Sequence, residues 1–263
     1  MGPPEGADAT ESMIHIESSG RVTILRMAHG KASALDLEFC DALSARLDEC
    51  RRSASAALVL TGTGTIFSAG VDLLRVVDGG ATYVRAFLPA VSRTFESLFT
   101  FPKPVVAAVN GHAIAGGCVM ACASDVRLMA KGPGRIGTPE LLVGVPFPIV
   151  PLEIMRFAAA PQRLQSLAYR GATLSADEAI AHGLIDDAVE GERLLDAAVD
   201  MAGRFAALPP AAFAATKTQL RAPAMRRIRE GWQYDAAVTR IWESAETLET
   251  IRGYIARTFK KPR

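Results

Sequence analysis

The chain reads as an α/β core followed by an all-α C-terminal region, and three observations predict it. Short β-rich apolar runs alternate with stretches of helical spacing from about residue 13 onward, which implies a mostly parallel sheet. After Glu192 the strand signal disappears and only helical stripes remain. With 263 residues and 49% hydrophobic content, the chain buries a sizeable core in one large domain or a domain plus an appendage.

The elements follow in order. Met1 to Ser12 is polar, rich in Gly, Pro and acids, and is expected to be a disordered leader covering residues 1–12. Met13 to Glu17 and Arg21 to Met27 are β-rich runs around Ser18-Ser19-Gly20, a hairpin pattern. Asp36 caps a helix whose apolar residues Phe39, Cys40, Leu43, Leu47 and Cys50 recur at helical spacing, and Ala57 to Thr61 supplies the next buried strand. Val84, Phe87, Leu88, Val91, Phe95, Leu98 and Phe99 mark a helix ended by Pro102 and Pro104. Val105 to Val109 reads as a strand, Gly116 to Ala123 as a helix and Val126 to Ala130 as a strand. Leu195, Ala198, Val199, Ala202, Phe205 and Ala206 form one helical stripe, Pro209-Pro210 breaks it, and helical segments continue to about Phe259. The expected organisation is a leader, a core over residues 13–200 and a helical region over 201–263.

Composition narrows the function classes. Well-mixed charges, 29 basic against 28 acidic, give a net +1 and no broad field for nucleic acid or an anionic membrane. No apolar run approaches the roughly 18 residues that span a bilayer, and the opening segment lacks the order of a signal peptide. Cys40, Cys50, Cys118 and Cys122 fit neither a disulfide framework nor a zinc cluster and read as reduced core thiols. A soluble cytoplasmic protein is the expectation. His15, His29 and His182 do not cluster, His112 reads as structural or pocket-lining, and no metal site is expected.

Two segments carry the chemistry. Phe67-Ser68-Ala69-Gly70-Val71-Asp72-Leu73 and Asn110-Gly111-His112-Ala113-Ile114-Ala115-Gly116-Gly117-Cys118 each set small residues in a loop after an apolar run. Small side chains let a ligand approach the main chain, and the second segment leads into a helix, where unpaired N–H groups attract negative charge. Two such donors aimed at one oxygen stabilise an enolate. Other readings of the glycines fail: Gly62-Thr63-Gly64-Thr65-Ile66-Phe67 has Phe67 where a dinucleotide fingerprint needs its last glycine, and Gly111 to Gly117 offers Gly117 where a phosphate loop needs lysine. Ser68 lacks the flanking glycines of a nucleophile elbow.

Over residues 13 to 263 the sequence resembles the crotonase, or enoyl-CoA hydratase/isomerase, superfamily. Besides the two segments, Lys31-Ala32-Ser33-Ala34-Leu35-Asp36, Pro102 to Gly111, Pro139-Glu140, Leu174 to Ala179 and Gly183 to Asp186 agree with it in order. The resemblance implies a spiral of ββα units with CoA thioesters as substrates and no further cofactor. It implies Ala69 and Gly116 as oxyanion donors and Glu140 as the catalytic carboxylate, with Lys31, Ala32, Ala34, Gly70, Val71, Asp72, Leu73, Gly117, Val119 and Phe147 at the CoA-ester site. Lys31 would approach the CoA nucleotide, and Arg75 and Lys217 would meet its phosphates; each also reads as an ordinary solvated charge. The C-terminal helices would pack against neighbouring subunits in a homotrimer or hexamer.

Thr138-Pro139-Glu140 is also an ordinary helix start: threonine cap, proline at the first position, acid in the first turn. Helix-end charge would lower the Glu140 pKa while apolar neighbours such as Leu141, Val145 and Phe147 would raise it, and both outcomes stay open in sequence.

Two departures from the family pattern bear on the reaction. Hydratases of the family carry a second glutamate three residues after the oxyanion glycine, and here that place is Val119. Adding water to a 2-enoyl thioester divides proton handling between two carboxylates, whereas one carboxylate suffices to move a proton between two carbons of one substrate. The family's 3-enoyl-CoA to 2-enoyl-CoA isomerases have that single-carboxylate pattern. Val145-Pro146-Phe147-Pro148-Ile149-Val150-Pro151 stands where hydratases have a glycine-rich run, and its prolines predict an irregular segment lining a dry acyl pocket. An isomerase is therefore expected. A 2-enoyl-CoA hydratase recruiting Asp72, Asp78 or Glu153, or a non-catalytic acyl-CoA-binding protein, are the alternatives.

Overall fold

The computed structural model describes residues 13–258. The leader expected over residues 1–12, and the helix expected to reach Phe259, fall wholly or in their last residue outside the described residues. Strands β1 (Ile14–Ser19) and β2 (Val22–Met27) pair antiparallel, with Ser19 opposite Val22 and Gly20 at φ 58° in the intervening turn. Helix α1 (Leu37–Arg52) starts at Asp36, whose carboxylate accepts the Phe39 N–H at 2.8 Å. Its buried face includes Phe39, Cys40, Leu43, Leu47 and Cys50, the stripe predicted from spacing.

From there the chain repeats one unit. Strands β3 (Ala57–Thr61) and β4 (Ile66–Ser68) precede α2 (Leu73–Phe99), β5 (Val105–Val109) and β6 (His112–Ile114) precede α3 (Gly116–Ala123), and β7 (Val126–Ala130) and β8 (Ile136–Gly137) precede α4 (Glu140–Val143). In every unit the first strand joins one sheet and the second joins another. Among the described residues the larger sheet runs β1-β2-β3-β5-β7-β10 and the smaller β4-β6-β8-β9, where β9 is Thr173–Leu174 and β10 is Asp187–Val189. Pairing is parallel from β2 through β10. This is the ββα spiral that the resemblance implied. Because consecutive units stack, the loops that follow β4, β6 and β8 lie together, and they carry Ala69 to Leu73, Ala115 to Gly117 and Glu140.

Two expectations need correction. The helix predicted from Val84 begins earlier, at Leu73, because Asp72 caps it by accepting the Leu74 and Arg75 N–H groups, and it is kinked where Gly80 adopts φ 56°, ψ −150°. The proline-rich run is not irregular throughout: α5 (Ile149–Ala158) contains Pro151 in its first turn, where the missing N–H has no helical acceptor to lose.

Helices α6 (Pro161–Arg170) and α7 (Ala176–His182) lead to β10. After it come α8 (Leu194–Ala206), α9 (Pro210–Gly231), α10 (Asp235–Trp242) and α11 (Ala245–Thr258), the all-α stretch expected after residue 192. Helix α8 lays Leu194, Ala198, Ala202 and Ala206 on the face of the large sheet formed by Val22, Ile24, Val59, Val106 and Leu128. The boundary expected at residues 200 and 201 thus falls inside a helix that packs on the core. Helix α9 is fastened by a buried cluster: Asp125 accepts from the Val105 N–H, Lys217 at 2.7 Å and Arg221 at 2.8 Å.

Candidate active site

A cavity of about 300 Å³ lies where the three loops meet, and Ala69, Val71, Ala115, Gly116, Val119 and Glu140 line it. Gly70, at φ 82°, lets the first two loops touch: a Cβ there would stand 2.5 Å from the Ile114 carbonyl oxygen and 3.1 Å from the Gly116 nitrogen. Gly117 serves the same contact from the other side, since a Cβ on it would lie 2.3 Å from the Ser68 carbonyl oxygen. Ala115 is held at φ 52°, ψ −120°, a costly conformation for a residue with a side chain, and its N–H donates to the Gly137 carbonyl at 2.8 Å. That strained residue turns the chain into α3, leaving Gly116 first in the helix, where N–H groups have no intrahelical acceptor.

The second donor differs from the one the resemblance implied. The Ala69 N–H donates to the Ala32 carbonyl at 2.9 Å and is occupied. Val71 instead pairs with Leu35 as a parallel bridge, flanked by Leu35 N–H to Gly70 O and Asp72 N–H to Leu35 O. Parallel pairing of that kind turns the Val71 N–H away from Leu35. Val71 and Gly116 therefore present main-chain N–H groups at one cavity wall, from segments in contact at Gly70. The signal was in sequence, in the glycine immediately before Val71, but the Leu35 pairing that frees the donor is visible only in three dimensions.

Glu140 opens the four-residue helix α4, which Gly144 closes in the left-handed conformation. Its carboxylate is buried, Oε2 has no hydrogen-bond partner, and burial pushes the carboxyl up to about 8 against a smaller opposing effect of its own backbone N–H. Burial thus prevails over helix-end charge. The expected threonine cap does not form: Thr138 is buried with its hydroxyl unpartnered, and α4 has no side-chain cap.

The other expected residues divide. Ala32, Ala34, Asp72, Leu73, Val119 and Phe147 line the cavity, whereas Lys31 is exposed outside it and Gly70 and Gly117 act through backbone approach. Lys217 is buried against Asp125 and the Lys103 carbonyl, which removes it from any phosphate, and Arg75 pairs with Glu38 at 2.5 Å. Of the acids considered for recruitment, Asp72 is the α2 cap, Asp78 is exposed away from the cavity, and Glu153 is fully buried between Arg156 and Arg227. Glu140 is left as the one lining carboxylate without a structural bond. His112 sits in β6 outside the lining, and the four cysteines are buried free thiols. Among the described residues no group of three His, Cys, Asp or Glu side chains is placed to hold a metal, and no helix is long and apolar enough to cross a membrane.

The far wall joins one segment expected from sequence to two whose role sequence did not reveal. Val145, Pro146, Phe147, Pro148 and Pro151 supply the apolar side expected of the proline-rich run, and Trp242, Tyr254 and Ile255 reach in from α10 and α11. Aromatic residues at helical spacing in a C-terminal region look the same whether they face core, partner or ligand.

Comparison with known proteins agrees with this geometry. The family model described as enoyl-CoA hydratase/isomerase matches residues 17–258. The chain is 30% identical over 251 residues to a putative enoyl-CoA hydratase of Thermus thermophilus, covering 93% of this chain and 98% of the relative, and 32% identical over 202 residues to a crotonyl-CoA hydratase of Syntrophomonas wolfei, covering 74% and 76%. Among solved structures, a probable enoyl-CoA hydratase EchA3 of Mycobacterium tuberculosis superposes with TM-score 0.81 at 32% identity, covering 86% of this chain and 95% of that one. Human mitochondrial delta3-delta2-enoyl-CoA isomerase shares the fold with TM-score 0.88 at 23% identity, covering 93% and 97%. The nested β4, β6 and β8 loops, their paired main-chain donors and the family match over nearly the whole described chain agree: the protein belongs to the enoyl-CoA hydratase/isomerase family.

Proposed function

We propose that the protein moves the double bond of a 3-enoyl-CoA to the 2-position. The observation that carries this reading is the isolation of Glu140 in an apolar cavity, with Val119, 1% exposed, on the wall where a second carboxylate would be needed for hydration. Ionised Glu140 removes a proton from the α-carbon, the Val71 and Gly116 N–H groups hold the thioester oxygen as the dienolate forms, and the same carboxyl returns the proton at the γ-carbon. One proton leaves and one arrives, so the reaction is redox-neutral and calls on no metal or cofactor beyond the CoA of the substrate. Apolar walls exclude water, the competing nucleophile.

Product analysis with 3-enoyl-CoA and, separately, 2-enoyl-CoA is the test. Double-bond migration should outpace hydration, and Val119→Glu should leave or reduce isomerisation. Robust hydration by the unaltered protein overturns the reading in favour of a hydratase; tight acyl-CoA binding with neither reaction leaves a carrier.

We further propose a homo-oligomer built from trimers. Exposed Leu220, Trp232 and Tyr234 on and just after α9 support it.

A further inference from the structure

The residues that line the cavity differ sharply in exposure: Leu74 is 57% exposed, whereas Trp242 is only 3% exposed despite its size. The bulky polar part of an acyl-CoA must stay with solvent, and the thioester must meet the Val71 and Gly116 donors. The acyl tail is then left to the buried apolar lining, to which Val145 and Trp242 belong.

Trp242 is held there by more than packing. Its indole Nε1–H donates to the Pro146 carbonyl at 2.9 Å, which fixes the ring against the proline-rich wall. Helix α10 is itself anchored at both ends. At its start the Asp235 carboxylate accepts the Ile149 N–H at 2.8 Å, and Glu243, just beyond its end, pairs with Arg85 of α2 at 2.8 Å. A ring positioned from three directions cannot swing aside for a longer chain.

We propose that Trp242 is the residue that sets how long an acyl chain this site accepts: its indole closes the acyl end of the cavity, and its N–H locks the Pro146 wall in place. The inference rests on the acyl-CoA reading above. Removing a large buried side chain opens a void on the order of 150 Å³, half of the present cavity and room for several methylenes. Each methylene newly buried is worth about fourfold in affinity.

The experiment is a chain-length series of saturated acyl-CoAs, from four to sixteen carbons, measured by calorimetry on the full chain, with turnover of the matching 3-enoyl-CoAs in parallel. Affinity for the unaltered protein should rise with length and then stop rising. Trp242→Ala should move that limit upward by two or more carbons, with a gain on the order of tenfold for the first chains beyond the old limit. Trp242→Phe, which keeps an aromatic ring and loses the N–H, should shift the limit by less than alanine does and lower Tm, since the lost hydrogen bond is one the free protein also makes. Where the alanine variant fails to fold, Trp242→Leu is read in its place for the same shift. An unmoved limit in a folded small-residue variant overturns the proposal, as does a phenylalanine variant that shifts the limit as far as alanine does. Binding without turnover would count against the isomerase reading alone, whereas absence of acyl-CoA binding at any length would overturn both.

Discussion

Glu140 sits where two influences oppose each other, and the outcome sets both its chemistry and its cost. Burial holds its carboxyl at about 8, well above the ordinary carboxylate range. Only the ionised form removes a proton, so kcat/KM should rise with pH and level off above about 8; a profile already flat from pH 6 would contradict this. The same shift has a stability consequence of definite sign. Between about 4.5 and 8 the native protein binds more protons than the unfolded chain, so stability falls as pH rises through that window. Glu140→Gln removes the penalty. It should lower turnover at least about a hundredfold, leave CoA-ester affinity nearly unchanged, and raise Tm at pH 8 relative to pH 5 when each is compared with the unaltered protein. A residue needed mainly to start α4 would show the reverse, a loss of Tm with rate per folded molecule intact. Residue type and order pointed to Glu140 and Gly116, and both line the cavity. Val71 was placed at the CoA-ester site but not as a donor, because a free main-chain donor leaves no mark on its own side chain.

Elements with self-contained patterns were legible. Strands Ala57–Thr61, Val105–Val109 and Val126–Ala130 and helix Gly116–Ala123 have the bounds their apolar runs predict. The smaller sheet was not, because β4, β6, β8 and β9 are two or three residues long and too short to display a period. Nor was the kink in α2, which depends on Gly80 taking a positive φ that its neighbours do not dictate. The attachment of α9 was misread in the same way, since Lys217 looks like any surface charge until Asp125 is brought to it from β5's neighbourhood. That cluster gives a sharp expectation. Asp125→Ala leaves two buried cations unpaired and should cost about 3–5 kcal/mol in denaturant unfolding. Lys217→Met removes the charge along with its burial penalty, leaves the Arg221 pair, and should cost less than about 1 kcal/mol with CoA-ester affinity unchanged. A large loss of CoA-ester affinity in the methionine variant would return Lys217 to a phosphate-binding role.

At the scale of the molecule, the C-terminal helices face two ways. Trp242, Tyr254 and Ile255 wall the cavity beside Glu140, while Trp232 and Tyr234, in the short 3-10 turn between α9 and α10, are 71% and 65% exposed. Large aromatic side chains left in water support the proposed assembly. Light scattering at micromolar concentration should give a mass that is a multiple of three chains, and Trp232→Asp should reduce it. The two faces are also linked through the chain. Asp235, which caps α5 and anchors α10, follows that exposed turn directly, so a partner seated on Trp232 and Tyr234 would hold the helix that carries Trp242. Dissociation by Trp232→Asp should therefore weaken acyl-CoA binding while Glu140 keeps its elevated pKa in the pH profile. A monomer with full acyl-CoA affinity would overturn both the assembly and its coupling to the site.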